Sequence, residues 1–247
     1  MQARSLAISF CMVSSVLGLL GCRREAAILE AARWGDVGTV AELLREGVSL
    51  DVRDEWGNTP IHLAARRAHG GAPIVNLLLT NGASVSCRNG SGWTPLHLAV
   101  DPAVAKLLIT HGADVNARDR NGQTPLHAAV TTHDSVTIRR PSEDGTGQGR
   151  PEGVVPEWYA RLHIDLVACL IGAGARLDVT DTRDQTPLHA AARAGDMAGA
   201  KALVAAGASL RAKDYLGDTP AQAAVLSGHT DLASFLCQQA NAPQGSK

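Results

Sequence analysis

Four of the nine histidines, His62, His97, His127 and His189, fall at one recurring place, each followed by Leu or Ala and then Ala. Imidazole is the commonest metal ligand and the side chain best suited to moving protons near neutral pH, so a metal centre or acid–base catalysis is the first chemistry to weigh. The spacing argues against both. The intervals are 97 − 62 = 35, 127 − 97 = 30 and 189 − 127 = 62 residues, so each histidine belongs to its own structural unit. Groups distributed one per unit line a ladder and do not converge on a point. No H-E-x-x-H, G-x-S-x-G or phosphate-loop pattern occurs in the chain. The run Gly145-Thr146-Gly147-Gln148-Gly149 follows no strand pattern and opens no helix with a phosphate-binding lysine, so it reads as flexible filler. Glu143, Asp144, Glu152 and Glu157 lie in that neighbourhood, with no histidine between His133 and His163. We therefore expect no catalytic residue, no cofactor and no metal site.

The histidines sit inside helix starts. Thr59-Pro60, Thr94-Pro95, Thr124-Pro125, Thr186-Pro187 and a worn copy, Thr219-Pro220 with Gln222 at the histidine position, each pair a good N-cap with a residue that suits the first helical turn. Gly47, Gly82, Gly112, Gly174 and Gly207 follow apolar runs at the same intervals of 35, 30, 62 and 33. The 62 is one period of 33 plus 29 residues. Only 3% of residues are aromatic, which suits thin layers of helix better than one large core.

The period and the Thr-Pro-Leu-His-x-Ala signature resemble the ankyrin repeat over about residues 23 to 243. The resemblance implies an all-α ankyrin-repeat solenoid of about six helix-turn-helix repeats, with hairpin loops along one edge and a concave helical face used mainly to bind proteins. It also implies that the signature histidine ties neighbouring turns together by hydrogen bonds. The repeats are read as about 23–53, 54–88, 89–118, 119–180, 181–213 and 214–243, followed by a tail at 244–247. Repeat two carries two extra residues at its inter-helix turn, and repeat three is three short there, with Asp101-Pro102 restarting its second helix. Repeat four holds a glycine- and proline-rich insertion at 132–158, read as a flexible loop. Asp184 stands where other hairpins have glycine, and aspartate tolerates the left-handed conformation needed there.

Met1 to Arg4 is a short basic start, Ser5 to Leu20 is apolar, and Leu19-Leu20-Gly21-Cys22 closes the segment. Residues 1–21 read as an export signal, too short for a comfortable membrane span. Its ending looks like a bacterial lipobox, which implies lipidation of Cys22 and an anchor in the cell envelope outside the cytoplasm; Arg23 implies the outer membrane in a Gram-negative host. Losing Arg4 with the leader takes the net charge of −1 to −1 − 1 = −2, so nothing advertises a nucleic-acid partner. Of the five cysteines, Cys87, Cys169 and Cys237 remain after Cys11 leaves and Cys22 is acylated. They are expected to be free, buried thiols.

The hairpin tips are the best candidates for a protein partner, and aromatics and arginine concentrate binding energy. Glu55, Trp56, Arg120, Arg183, Tyr215 and Leu216 stand at tips, and Arg66, with Arg67 and Arg193, follows the signature and borders the concave face. The reading is a monomeric, non-catalytic, membrane-anchored scaffold for a protein partner at the envelope. The rivals are an immunity-type inhibitor of an exported toxin or hydrolase, an enzyme using the 132–158 insertion, and a purely structural envelope protein.

Overall fold

The computed structural model describes residues 23–135 and 157–241. Among the described residues there are twelve helices and no strand. They are α1 (23–34), α2 (Val37–Arg45), α3 (Pro60–Ala65), α4 (Gly71–Thr80), α5 (Pro95–Leu98), α6 (Pro102–Thr110), α7 (Pro125–Ser135), α8 (Glu157–Gly172), α9 (Pro187–Ala194), α10 (Met197–Ala205), α11 (Pro220–Leu226) and α12 (Thr230–Asn241). Each pair forms a helix-turn-helix unit, and each unit packs on the next, α3 on α5 and α7 on α9 in one layer, α4 on α6 and α6 on α8 in the other. The result is a two-layered helical solenoid.

Packing explains the period. Ile61, Leu96, Leu126 and Leu188, each directly after the helix-starting proline, are at most 2% exposed. From the second helices come Leu78, Leu108, Leu170, Leu203 and Leu236, buried at the intervals 30, 62, 33 and 33. No single unit could bury these residues alone, and stacking joins them into one cluster from Ala31 to Leu236.

Two units depart from the regular pattern in ways the sequence did not fully reveal. In the third, the missing residues shorten the first helix as well as the turn: α5 has four residues. Proline at 102 disfavours helical backbone at Asp101, which is extended with ψ 124° and caps α6 by accepting from the Ala103 N–H at 2.8 Å. In the fourth, α7 runs on to Ser135 and α8 begins at Glu157, so both ends of the stretch expected to be loop are helical. Thr131 to Ser135 contains no helix breaker, and Pro156 stands just ahead of Glu157. The rest of the expected insertion, 136–156, lies outside the described residues, as do the expected leader with Cys22 and the tail.

The cysteines need a correction. Cys87, Cys169 and Cys237 are free, but Cys87 and Cys169 are half-buried and Cys237 is exposed. Cys237 follows the buried Leu236 on α12, on a flank that no other described helix covers. Burial pushes the Cys87 thiol up, and its Sγ donates to the Ser84 carbonyl at 3.1 Å. Among the described residues, no helix is long and apolar enough to cross a membrane.

Candidate interaction edge

The signature histidines are internal struts. In His127, Nδ1 lies 3.2 Å from the Thr124 N–H, which donates to it, and Nε2 lies 3.0 Å from the Gln185 carbonyl of the next unit. A carbonyl only accepts, so Nε2 carries the hydrogen and the ring is the neutral Nε2–H tautomer. His62 bridges Thr59 to the Trp93 carbonyl, His97 bridges Thr94 to the Gln123 carbonyl, and His189 bridges Thr186 to the Asp218 carbonyl, all within 3.2 Å. Both nitrogens of every ring are committed. Burial, only partly opposed by the carbonyl bonds, holds all four imidazoles below the ordinary histidine range. Gln222 takes the histidine's place only in the last unit. Its Oε1 accepts from the Thr219 N–H at 2.9 Å, and among the described residues no further unit packs against it. Among the described residues no cluster of His, Cys, Asp or Glu could hold a metal ion.

The hairpins are closed and joined by a second ladder. Each opens on Asp54, Asn89, Asp119, Asp181 or Asp214, whose Oδ1 accepts two backbone N–H groups across the turn, as Asp119 does from Asn121 and Gln123 at 2.8 Å each. Gly57, Gly92, Gly122 and Gly217 turn the corner with φ between 74° and 83°, and Asp184 does so at 55°, as expected of an aspartate in that position. Adjacent hairpins are then bonded backbone to backbone: the Gly90 N–H to the Trp56 carbonyl at 2.8 Å, Arg120 to Ser91 at 3.3 Å, Thr182 to Asn121 at 2.8 Å and Tyr215 to Arg183 at 3.1 Å.

A third ladder escaped the sequence reading. Arg53 donates to the Gly57 carbonyl at 2.9 Å and to the Arg88 carbonyl at 2.8 Å; Arg88 repeats the pattern on Gly92 and Arg118, and Arg118 reaches Thr180 at 2.7 Å. Its signal was an arginine directly before the hairpin Asx at 53, 88 and 118, replaced by Thr180 and Lys213 further on. Trp93 also works inside the array, its Nε1–H donating to Asp119 at 2.8 Å.

These ladders hold the tips in a row and leave their side chains outside. Trp56, Tyr215 and Leu216 are 58%, 59% and 60% exposed, and Glu55, Arg66, Arg120 and Arg183 are also exposed. The structure does not gather them at one point; it spaces them along one edge, with Arg66 at the inter-helix turn of the second unit. Arg193 pairs with buried Asp214 at 3.0 Å. Burial works to raise the Asp214 carboxyl, yet the backbone N–H groups of Asp218 and Leu216 together with Arg193 hold it below the usual carboxylate range. Arg67 is likewise turned inward, donating to the Arg33 carbonyl.

A sequence model of a family described as "Ankyrin repeats (3 copies)" matches residues 7–89, 28–119, 67–138 and 158–245. Over 40 residues, 16% of this chain, the sequence is 50% identical to the human protein "Cyclin-dependent kinase 4 inhibitor B" and to its counterpart from Bos taurus. The aligned segment spans 29% and 30% of those two relatives.

Proposed function

Because the chain belongs to the ankyrin-repeat family, we propose that it is a non-catalytic scaffold that binds a protein partner along its hairpin edge. One observation carries this reading: the side chains best suited to chemistry, the four signature histidines, have both ring nitrogens spent on holding the repeats together. What remains available is the exposed row of Trp56, Arg120, Arg183, Tyr215 and Leu216. A preorganised edge loses little entropy on docking, so it can bind without a reactive group. No nucleic acid is part of the proposal. We further propose that residues 1–21 export the chain, that Cys22 is lipidated, and that the monomeric array from Arg23 onward faces the envelope outside the cytoplasm. The repeat boundaries given above and the site residues belong to the same proposal.

The similarity to a relative named as an inhibitor favours a second reading, in which the edge blocks an enzyme or toxin. The experiment is crosslinking in the native cell followed by identification of what co-purifies with the protein. A stoichiometric protein supports the scaffold, and a toxin or hydrolase whose activity the purified chain abolishes supports the inhibitor. Absence of any stoichiometric protein refutes both. Fractionation tests the anchor: Cys22→Ala should move the protein from the membrane to the soluble exported fraction, and an unchanged distribution contradicts lipidation.

A further inference from the structure

The two edges of the array are not held alike. Along the hairpin edge, every junction from the second repeat to the sixth carries a backbone bond between neighbouring hairpins and is crossed by a signature histidine. On the opposite edge, where the two helices of each repeat join, three junctions are clasped. Arg67 donates to the Arg33 carbonyl between repeats one and two. His163 Nε2 lies 3.2 Å from the buried Asp196 carboxylate between repeats four and five, and the His229 Nε2–H donates to the Arg193 carbonyl at 3.1 Å between five and six. Among the described residues, no hydrogen bond or ion pair joins the inter-helix turn of repeat three, 98–102, to either neighbour.

The cause is the missing three residues. Arg33 and Arg193, whose carbonyls are acceptors on this edge, are equivalent, since 47 − 33 = 14 and 207 − 193 = 14 residues separate them from Gly47 and Gly207. Repeat three passes from Val100, the counterpart of Ala192, to Asp101, the counterpart of Asp196, and has no such residue. Asp101 also stands where repeat six has His229, and a carboxylate cannot donate. The first helix suffers too. α5 has four residues, against six in α3 and eight in α9, and Ala99 leaves it with ψ 126° and its N–H a long 3.4 Å from the Leu96 carbonyl.

We infer that repeat three is a hinge. Repeats one and two bend against repeats four to six about the hairpin edge, and the stack opens at the inter-helix turns. The hairpin bonds keep the tips at fixed spacing, so the axis lies along that edge. Leu78, Leu108 and Leu170, each at most 1% exposed, keep the second helices packed, so the motion flexes the stack without parting its halves. The bend alters the curvature of the first-helix face and leaves the row of tips intact, which lets one row meet surfaces of different shape. The hinge goes beyond the binding reading and stands without it, because it concerns only the array's own bonds.

Double electron–electron resonance on the full chain tests this, with spin labels carried on a ketone amino acid so that the native cysteines stay untouched. One pair replaces Arg66 and Leu226, equivalent exposed positions beside the inter-helix turns of repeats two and six; the other replaces Trp56 and Leu216, equivalent exposed hairpin positions of the same repeats. The Arg66–Leu226 distances should spread over at least about twice the width of the Trp56–Leu216 distances. Inserting Arg-Ala-Gly between Val100 and Asp101, together with Asp101→His, supplies the missing turn and a donor toward the Arg66 carbonyl, and should narrow the wider distribution to the width of the other. Equal widths in the native chain, or a width unchanged in an inserted variant that melts cooperatively, overturn the hinge. Hydrogen exchange on the native chain needs neither labels nor insertion: α5 amides should exchange at least about tenfold faster than those of α9, and equal protection overturns the inference as well.

Discussion

Replacing His127 by alanine tests the strut directly. The ring is fully buried, and its removal leaves the Thr124 N–H without a partner in a site where Thr124 is 1% exposed, while the Gln185 carbonyl keeps only the Asp181 N–H at 2.9 Å. The orphaned N–H costs about 1–3 kcal/mol and the lost cross-repeat bond about 0.5–1.5 kcal/mol, so His127→Ala should destabilise by about 1.5–4.5 kcal/mol, before counting the cavity. His127→Gln is more informative. Gln222 demonstrates that a glutamine carbonyl can take the threonine N–H, so this variant should lose only the cross-repeat bond, about 0.5–1.5 kcal/mol. Gln222→His, where no further repeat packs among the described residues, should stay within about 0.5 kcal/mol of wild type. The assay is urea unfolding followed by far-ultraviolet circular dichroism at about pH 8, where free imidazole is neutral. If His127→Gln costs no more than Gln222→His, the cross-repeat strut is not what the histidine contributes, and the reasoning fails.

Acid should act through the same four residues. Their folded pKa values are depressed, so the unfolded chain binds more protons as pH falls below its ordinary value of about 6.5; the stability is present above that point and is lost down to the folded values. With four sites at 1.36 kcal/mol per proton, the slope inside that window is at most about 5.4 kcal/mol per pH unit, and a urea midpoint flat between about pH 7 and pH 5 would contradict the direction. Gly57→Ala should destabilise by about 1–3 kcal/mol, since its Cβ would lie 2.8 Å from the Gly90 nitrogen at φ 78°. Gly217→Ala, with nothing within 4 Å, should cost only the strain of its positive φ, so equal midpoints for the two refute the hairpin ladder. Leu170→Ala, 1% exposed between repeats four and five, should cost about 2–5 kcal/mol by the same melts, and a loss under about 1 kcal/mol would contradict its place in the continuous core.

The architecture was legible because each repeat must bury the same positions against its neighbours: Leu96, Leu126 and Leu188 recur because their surroundings recur. The inter-turn role of the histidines followed from the family resemblance, but its division into a bond within the repeat and a bond to the next needed coordinates. Only then does Gln222 make sense, in a repeat whose signature position bonds to no later carbonyl among the described residues. The arginine ladder was missed because Arg53, Arg88 and Arg118 look like ordinary surface charges until their carbonyl partners are seen. Cys237 was misplaced because an apolar run such as Leu232 to Cys237 does not say which side of a terminal helix has a neighbour. Exposure of Trp56 or Tyr215 was legible from the turn chemistry. Which exposed residues carry binding energy is a property of the partner's surface as well as this one.

The central claim is that the periodic histidines are committed struts, leaving the hairpin edge as the working surface. Long-range nitrogen NMR of the imidazoles measures this most directly, because it reports which ring nitrogen carries the hydrogen. The structure predicts four rings locked as the neutral Nε2–H tautomer at neutral pH and unmoved by added zinc. Nδ1–H rings, or resonances that shift together when zinc is added, would contradict it.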